Sequence, residues 1–193
     1  MATLYRVFPC QPEAAPVEPG GALYIPPQGA GRIDNPGLYA VLYLSDTAEG
    51  AIAEAFGRFP EWTPAILAGS PALPGSTRAI AQYRFRGELP LCDLDAAARL
   101  LALELRPSQV VTRDYTQTRA WAGTIFEQGR WAGIRWWSYY RPEWGSIGLW
   151  SVAALTLETV RPLCLDDVDL IAASRTIARR VTAAAARKSG ASR

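Results

Sequence analysis

The run Tyr39-Ala40-Val41-Leu42-Tyr43-Leu44 constrains the fold of this chain more than any other stretch. Read as a strand over residues 39–44, it puts Tyr39, Val41 and Tyr43 on one face and Ala40, Leu42 and Leu44 on the other. Both faces are apolar, so both need cover, and the strand belongs in the interior of a sheet. It runs at once into Asp46-Thr47-Ala48-Glu49, which has the form of a capping box. The helix that follows buries Ile52, Ala55 and Phe56, turns Glu54 away from that face, and ends at Gly57 and Pro60. Upstream lies a polar, glycine-rich loop, Gly31-Arg32-Ile33-Asp34-Asn35-Pro36-Gly37. Arg32, Tyr43 and Glu54 follow at equal intervals from loop, strand and helix. That order can bring a cation, a phenol and an acid to one cleft.

The rest of the chain supplies partners for that unit. Residues 3–7 read as a first strand, with Tyr5 and Val7 alternating against Leu4 and Arg6. Residues 8–36 are rich in Pro, Gly and Ala without a regular period and read as loop, as do residues 61–77. Residues 79–86 alternate as a strand, and 89–94 form a short strand or extended segment. Asp95 is expected to cap a helix through about 105 that Pro107 closes. Asp114, with Gln117 three residues on, opens a helix to about 128 that Gly129 terminates. Residues 134–139 read as a strand, 142–148 as loop, and 149–160 as one or two strands. Residues 166–188 read as largely helical, and 189–193 as a tail. Strands and helices in irregular order point to an α+β fold with a mixed or antiparallel sheet. No repeat or second domain is evident, so residues 1–193 are expected to form one domain.

Composition excludes several chemistries. The chain has no histidine, which removes a Ser-His-Asp triad, a Cys-His pair and the commonest zinc and haem ligands. The formal net charge of +2 creates no strong field toward nucleic acid or membrane. Lys188 is the one lysine, so arginine carries the positive charge, in a form suited to planar recognition of phosphates and carboxylates. Cys10, Cys92 and Cys164 are widely spaced, and an odd number without a signal peptide points to reduced thiols in a cytoplasm. Cys92 and Cys164 stand in apolar runs and are expected in the core. No apolar run has the length that spans a bilayer. No glycine-rich phosphate motif lies between a strand and a helix, so a Rossmann or P-loop site is not expected. Glu49 and Glu54 point to different sides of their helix, which does not make a metal site.

Taken singly, the candidate residues have plain readings: Glu54 a solvated helix charge, Arg32 a loop cation, Tyr43 a core tyrosine, Ser138 a strand hydroxyl, Tyr115-Thr116 a helix first turn. Taken in order, they resemble the RES-domain family. The resemblance rests on Tyr5-Arg6, Gly31-Arg32 with Asn35-Pro36, Leu42-Tyr43-Leu44-Ser45, Ala53-Glu54, Tyr115-Thr116-Gln117-Thr118, and Gly133-Ile134 with Ser138. It implies a fold similar to ADP-ribosyltransferase toxins, a split mixed sheet with flanking helices around a cleft that holds NAD. The motif-bearing part would be about residues 3–160, with a C-terminal helix at about 166–188.

The same resemblance implies a toxin of a bacterial toxin–antitoxin module that degrades NAD as a substrate, not a cofactor, by hydrolysis or phosphorolysis. Inorganic phosphate is then a possible co-substrate, and the partner an Xre-type, helix-turn-helix antitoxin. Arg6 and Arg32 match the family's arginines, Tyr43 its tyrosine and Glu54 its glutamate; either Thr116 or Ser138 stands for its serine. Glu54, Arg32 and Tyr43 would be catalytic, and Arg6, Arg32, Tyr43, Thr116 and Ser138 would bind NAD. This chain has Ile33-Asp34 where many relatives show Trp-Asn. Two other readings stand beside it. One is transfer of ADP-ribose to a macromolecule. The other is a non-enzymatic module, for which the tryptophans and arginines between residues 119 and 150 would suggest single-stranded nucleic acid.

Overall fold

A computed structural model describes residues 2–182 of the protein. β1 (Ala2–Cys10) is followed by a long loop, then by β2 (Leu42–Ser45) and α1 (Ala48–Phe56). Next come β3 (Glu61–Trp62), a 3-10 turn (Pro64–Leu67), β4 (Ala68–Ser70), β5 (Leu73–Phe85) and β6 (Leu91–Asp93). The helices α2 (Ala97–Ala102), α3 (Pro107–Val110) and α4 (Tyr115–Glu127) precede β7 (Gly133–Trp137) and β8 (Gly145–Leu149). β9 (Leu155–Pro162), α5 (Val168–Thr176) and β10 (Arg180–Val181) complete the described chain.

The fold is α+β around a mixed sheet. Its strand order is β4-β5-β1-β2-β8-β7-β6, with β9 on the free edge of β5. Within it β6 and β7 run parallel and the other pairs antiparallel. β1 pairs with β5 along its whole length, from Ala2↔Phe85 to Cys10↔Thr77. Against β2 it meets at Tyr5↔Ser45 alone. The sheet therefore splits between β1 and β2.

One face stays continuous across the split. Leu4 and Phe8 of β1, Leu42 and Leu44 of β2, Tyr83 of β5 and Ile147 and Leu149 of β8 share a core there. On the opposite face the core is divided. Over β1 and β5, Ile52 and Phe56 of α1 pack with Trp62, Ile80 and Leu170 of α5. Over β6 and β7, Trp121, Ala122 and Ile125 of α4 pack with Val41, Cys92, Ile134 and Trp136. Fully burying a side chain such as Ile52 or Phe56 contributes roughly 1.5–3 kcal/mol, so each half anchors its own helix.

The structure moves several expected boundaries. The strand expected at 39–44 is indeed interior, between β1 and β8, but its ladder starts at Leu42. The amides of Leu38 and Tyr39 instead donate to Asn35 O in a turn. Thr47, not Asp46, caps α1, accepting from Gly50 N. Residues 142–148, expected as loop, contain most of β8, which is buried throughout. Its glycines answer close packing instead of a turn: a Cβ on Gly148 would stand 2.4 Å from Ile33 Cδ1 and 2.9 Å from Val41 Cγ2. The connection 61–77 carries two short strands and the start of β5. Asp95 caps nothing and instead accepts from Arg135, while Pro107 opens α3 instead of closing a helix. Asp114 caps α4 as expected, accepting from Thr116 N and Gln117 N. Cys164 is exposed because its neighbour Leu163 takes the core position; Cys92 is buried. The helix expected at 166–188 is shorter: α5 ends at Thr176 and β10 pairs with β3, while residues 183–188 lie outside the described residues.

The loop ahead of β2 is pinned from two sides. Asp34 is 4% exposed. Its Oδ2 accepts from Gly29 N and Gly31 N, both at 2.7 Å, and its Oδ1 from the Tyr43 hydroxyl at 2.6 Å. Burial alone pushes this carboxyl up, but Tyr43, the two amides and the charge of Arg119 outweigh it and hold the carboxyl below its usual range. From the other side, Arg119 of α4 donates to Gly29 O and Gly31 O, and the Thr118 hydroxyl donates to Arg32 O.

A lowered carboxyl pKa means that its stabilisation is present above the unfolded value, roughly pH 3.9, and is lost as pH falls through the folded value. Asp34→Asn is expected to lose roughly 1–3 kcal/mol in urea unfolding at pH 7. The gap to wild type should narrow as pH drops below about 4; a gap independent of pH would contradict the assignment.

Candidate active site

The split in the sheet opens a cleft of about 350 Å³ on the face where the core is divided. That volume lies within the range usual for small-molecule sites. Its walls come from β1, the loop before β2, β2 itself, α1, the start of α4, and the ends of β7 and β8. Four of the residues singled out in the sequence line it: Arg6, Arg32, Tyr43 and Glu54.

Glu54 is on the side of α1 opposite Ile52 and Phe56, so the packing of those two turns it toward the cleft. Its Oε1 accepts from the Ser138 hydroxyl at 2.5 Å and from the Ser146 hydroxyl at 3.3 Å. Ser138 follows β7 directly and Ser146 lies on β8, so the two strands on the far side of β2 orient a carboxylate carried by a helix on the near side. Ser138 Oγ also accepts from Tyr140 N. Among the described residues no arginine pairs with Glu54, in contrast to Asp46, Asp93, Asp95, Glu143 and Glu158. Its negative charge is oriented by hydroxyls and left available. Burial, and after it the Glu54 charge, raises the Tyr140 phenol above its ordinary value.

Arg32 stands on the pinned loop. Its Nη1 donates to Val110 O at 3.0 Å and Thr112 O at 2.5 Å, and its guanidinium lies 5.5 Å from the centre of the Tyr115 ring. These contacts fix one edge of the fork. Arg6 shares its strand face with Leu4 and Phe8, and its Nη1 donates to Ala22 O at 2.9 Å. Burial lowers its pKa, and the neighbouring Tyr83 partly offsets that. Tyr43 presents its ring to the cleft at 6.4 Å, edge-on, from Trp136, while its hydroxyl donates to Asp34 and accepts from Ile33 N. Burial first, and then the bond to Asp34, raises this phenol far above its ordinary value. At neutral pH it is a fixed donor and an aromatic wall, not a base.

Neither Thr116 nor Ser138, the two alternatives for one role, is in the cleft lining, and the two have different partners. Thr116 is exposed on the first turn of α4, outside the cleft lining; its backbone amide caps to Asp114. Its neighbour Tyr115 lines the cleft as a wall, and Thr118, buried behind it, clamps Arg32 O. Ser138 holds Glu54. Ser146, Asp34, Trp136 and Tyr139 were not singled out in the sequence. Ser146 could have been found from the period-two pattern Ser146-Ile147-Gly148-Leu149, in which small and large residues alternate. Asp34 carried no such signal, because two of its three partners are backbone amides and the third, Tyr43, lies nine residues on.

The cleft thus offers an available carboxylate, the Arg32 guanidinium and aromatic walls, with Tyr139 66% exposed at its edge. It suits a ligand that carries both a cationic ring and anionic groups. Among the described residues no three His, Cys, Asp or Glu side chains are placed to hold a metal ion, and no helix is long and apolar enough to cross a membrane.

Comparison with known proteins places this arrangement. The chain matches none of the curated proteins. Among solved structures it is similar to a chain in the crystal structure of the M. tuberculosis MbcT–MbcA toxin–antitoxin complex. The identity is 15% and the TM-score 0.59, over 92% of this chain and 89% of that one. That likeness supports the fold. The family model for the RES domain matches residues 3–184. That match spans nearly the whole chain, and the chain belongs to the RES-domain family.

Proposed function

We propose that this protein is the toxin of a toxin–antitoxin pair and that it consumes NAD by cleaving the bond between nicotinamide and ribose. The observation that carries the reading is Glu54: a carboxylate in the cleft, held by two hydroxyls and unpaired with any cation among the described residues. The toxin assignment is supported by the family and by the similarity to a chain of a toxin–antitoxin complex.

The chemistry needs those groups and no histidine. As the C1–N bond breaks, its electron pair goes to the nicotinamide nitrogen, which leaves neutral and needs no proton. Positive charge develops on the ribose as an oxocarbenium ion, as in other glycosyl cleavages. A preoriented carboxylate such as Glu54 stabilises that charge. Water then adds to C1 and loses a proton, giving ADP-ribose; with inorganic phosphate as acceptor the product is ADP-ribose phosphate. Arg32 supplies charge-assisted donors for the pyrophosphate, and Arg6 of the adjoining β1 edge adds positive charge behind the cleft wall. The Tyr43 and Trp136 rings give the cationic nicotinamide aromatic surface. An Xre-type antitoxin that covers the cleft would hold the enzyme inactive in the cytoplasm.

Glu54→Gln keeps the shape and removes the charge. It is expected to lower NAD loss by about 100-fold or more while the urea midpoint stays near wild type; undiminished turnover in a folded variant would refute the role of Glu54. Ser138→Ala and Ser146→Ala each remove one bond to the carboxylate and are expected to lower kcat about tenfold, with KM little changed. A rise confined to KM would instead make both serines ligand contacts. Radiolabel from NAD recovered on protein, in place of free ADP-ribose, would move the reading to a transferase.

A further inference from the structure

A second cleft, of about 530 Å³, lies between the C-terminal end of α1 and the β4–β5 hairpin. Its lining contains two arginines, Arg58 and Arg78, and no aspartate or glutamate. Neither arginine forms an ion pair among the described residues. Arg78 projects from β5 and is half-buried; its Nε donates to Ala68 O at 3.2 Å, which leaves the outer edge of the guanidinium without a protein partner there. Arg58 lies over the Phe59 ring, 4.7 Å from its centre. The two cations are near enough that Arg58 adds to the effect of burial in lowering the pKa of Arg78. Phe56, Phe59 and Ile66 give the cleft an apolar wall.

Two like charges facing one partly buried space cost energy that an anion between them would relieve. Guanidinium forks match the oxygen geometry of phosphate, and the cation already stacked on Phe59 is preoriented for it. We propose that this second cleft binds a phosphate group, gripped by Arg58 and Arg78. The phosphate is either free or the end of a nucleotide whose apolar part rests on Phe59 and Ile66. Ala55 lines both clefts, and Arg58 lies two residues past the end of α1, so a phosphate seated here sits beside the C-terminal end of the helix that carries Glu54. No step of this proposal uses NAD chemistry; a protein inert toward NAD would still bind phosphate at this place.

The test is calorimetric titration of the full chain with inorganic phosphate and, separately, with AMP. Arg58 is exposed, so Arg58→Gln leaves the packing of α1 in place. The proposal expects saturable binding of at least one of the two probes. It expects that binding to weaken about tenfold or more in Arg58→Gln and in Arg78→Gln, and to persist in Arg32→Gln, which removes only what the first cleft takes up. Equal affinity for the two probes assigns the site to a phosphate group alone, and tighter AMP to a nucleotide; both support the proposal. No binding of either probe would overturn it, as would binding that survives Arg58→Gln and is lost in Arg32→Gln.

Discussion

The architecture depends on how little β1 and β2 touch. β1 lies along β5 for nine residue pairs and meets β2 at one. Backbone amides and carbonyls that leave a ladder need other partners or water. Divergence at that point therefore opens a seam in an otherwise continuous sheet. One face bridges the seam with a continuous apolar core, which keeps the two halves in one body. The other face has separate cores under α1 and α4, and the gap between them is the cleft. The residues that line it are there because strands and helices end or part at that place.

Each half contributes something the other lacks. The α1 half brings the carboxylate, and the β7–β8 half brings the hydroxyls that aim it. The loop before β2 brings Arg32, but that loop has little apolar surface of its own. Asp34 and Tyr43 below, and Arg119 and Thr118 from α4, fix it by hydrogen bonds to its backbone. A buried carboxylate satisfied by three donors makes a rigid support, since losing any donor leaves a desolvated charge. Asp46 does similar work at the other end of β2, tying Gly145 N and Arg135 together. The geometry around the cleft is thus set in part by groups outside its lining, Asp34, Asp46, Thr118 and Arg119 among them.

Local signals in the sequence were read correctly where one element decides its own form. The doubly apolar run around β2, the strand period of β1, the Asp114 cap and Gly129, at φ +64, are of this kind. The misreadings came where distant contacts decide. Gly145 and Gly148 look like loop residues, yet they are the price of fitting β8 under Ile33 and beside Asp46 and Arg135. The capping-box pattern at Asp46 gives way to Thr47 because Gly145 N and Arg135, far along the chain, claim the Asp46 carboxylate. The site followed the same rule. Arg6, Arg32, Tyr43 and Glu54 are legible from sequence order and line one cleft, whereas the bond from Ser138 to Glu54 is a contact across 84 residues. Sequence order placed the candidates; only packing could say which hydroxyl meets the acid.

The central claim is that an oriented, unpaired carboxylate in this cleft breaks the bond between nicotinamide and ribose. Proton NMR of NAD incubated with the purified chain, freed of any bound partner, observes that bond directly. The account predicts free nicotinamide appearing in step with the loss of NAD, together with ADP-ribose, or with its phosphate ester when inorganic phosphate is present. A spectrum of intact NAD after prolonged incubation with folded protein in both buffers would contradict it.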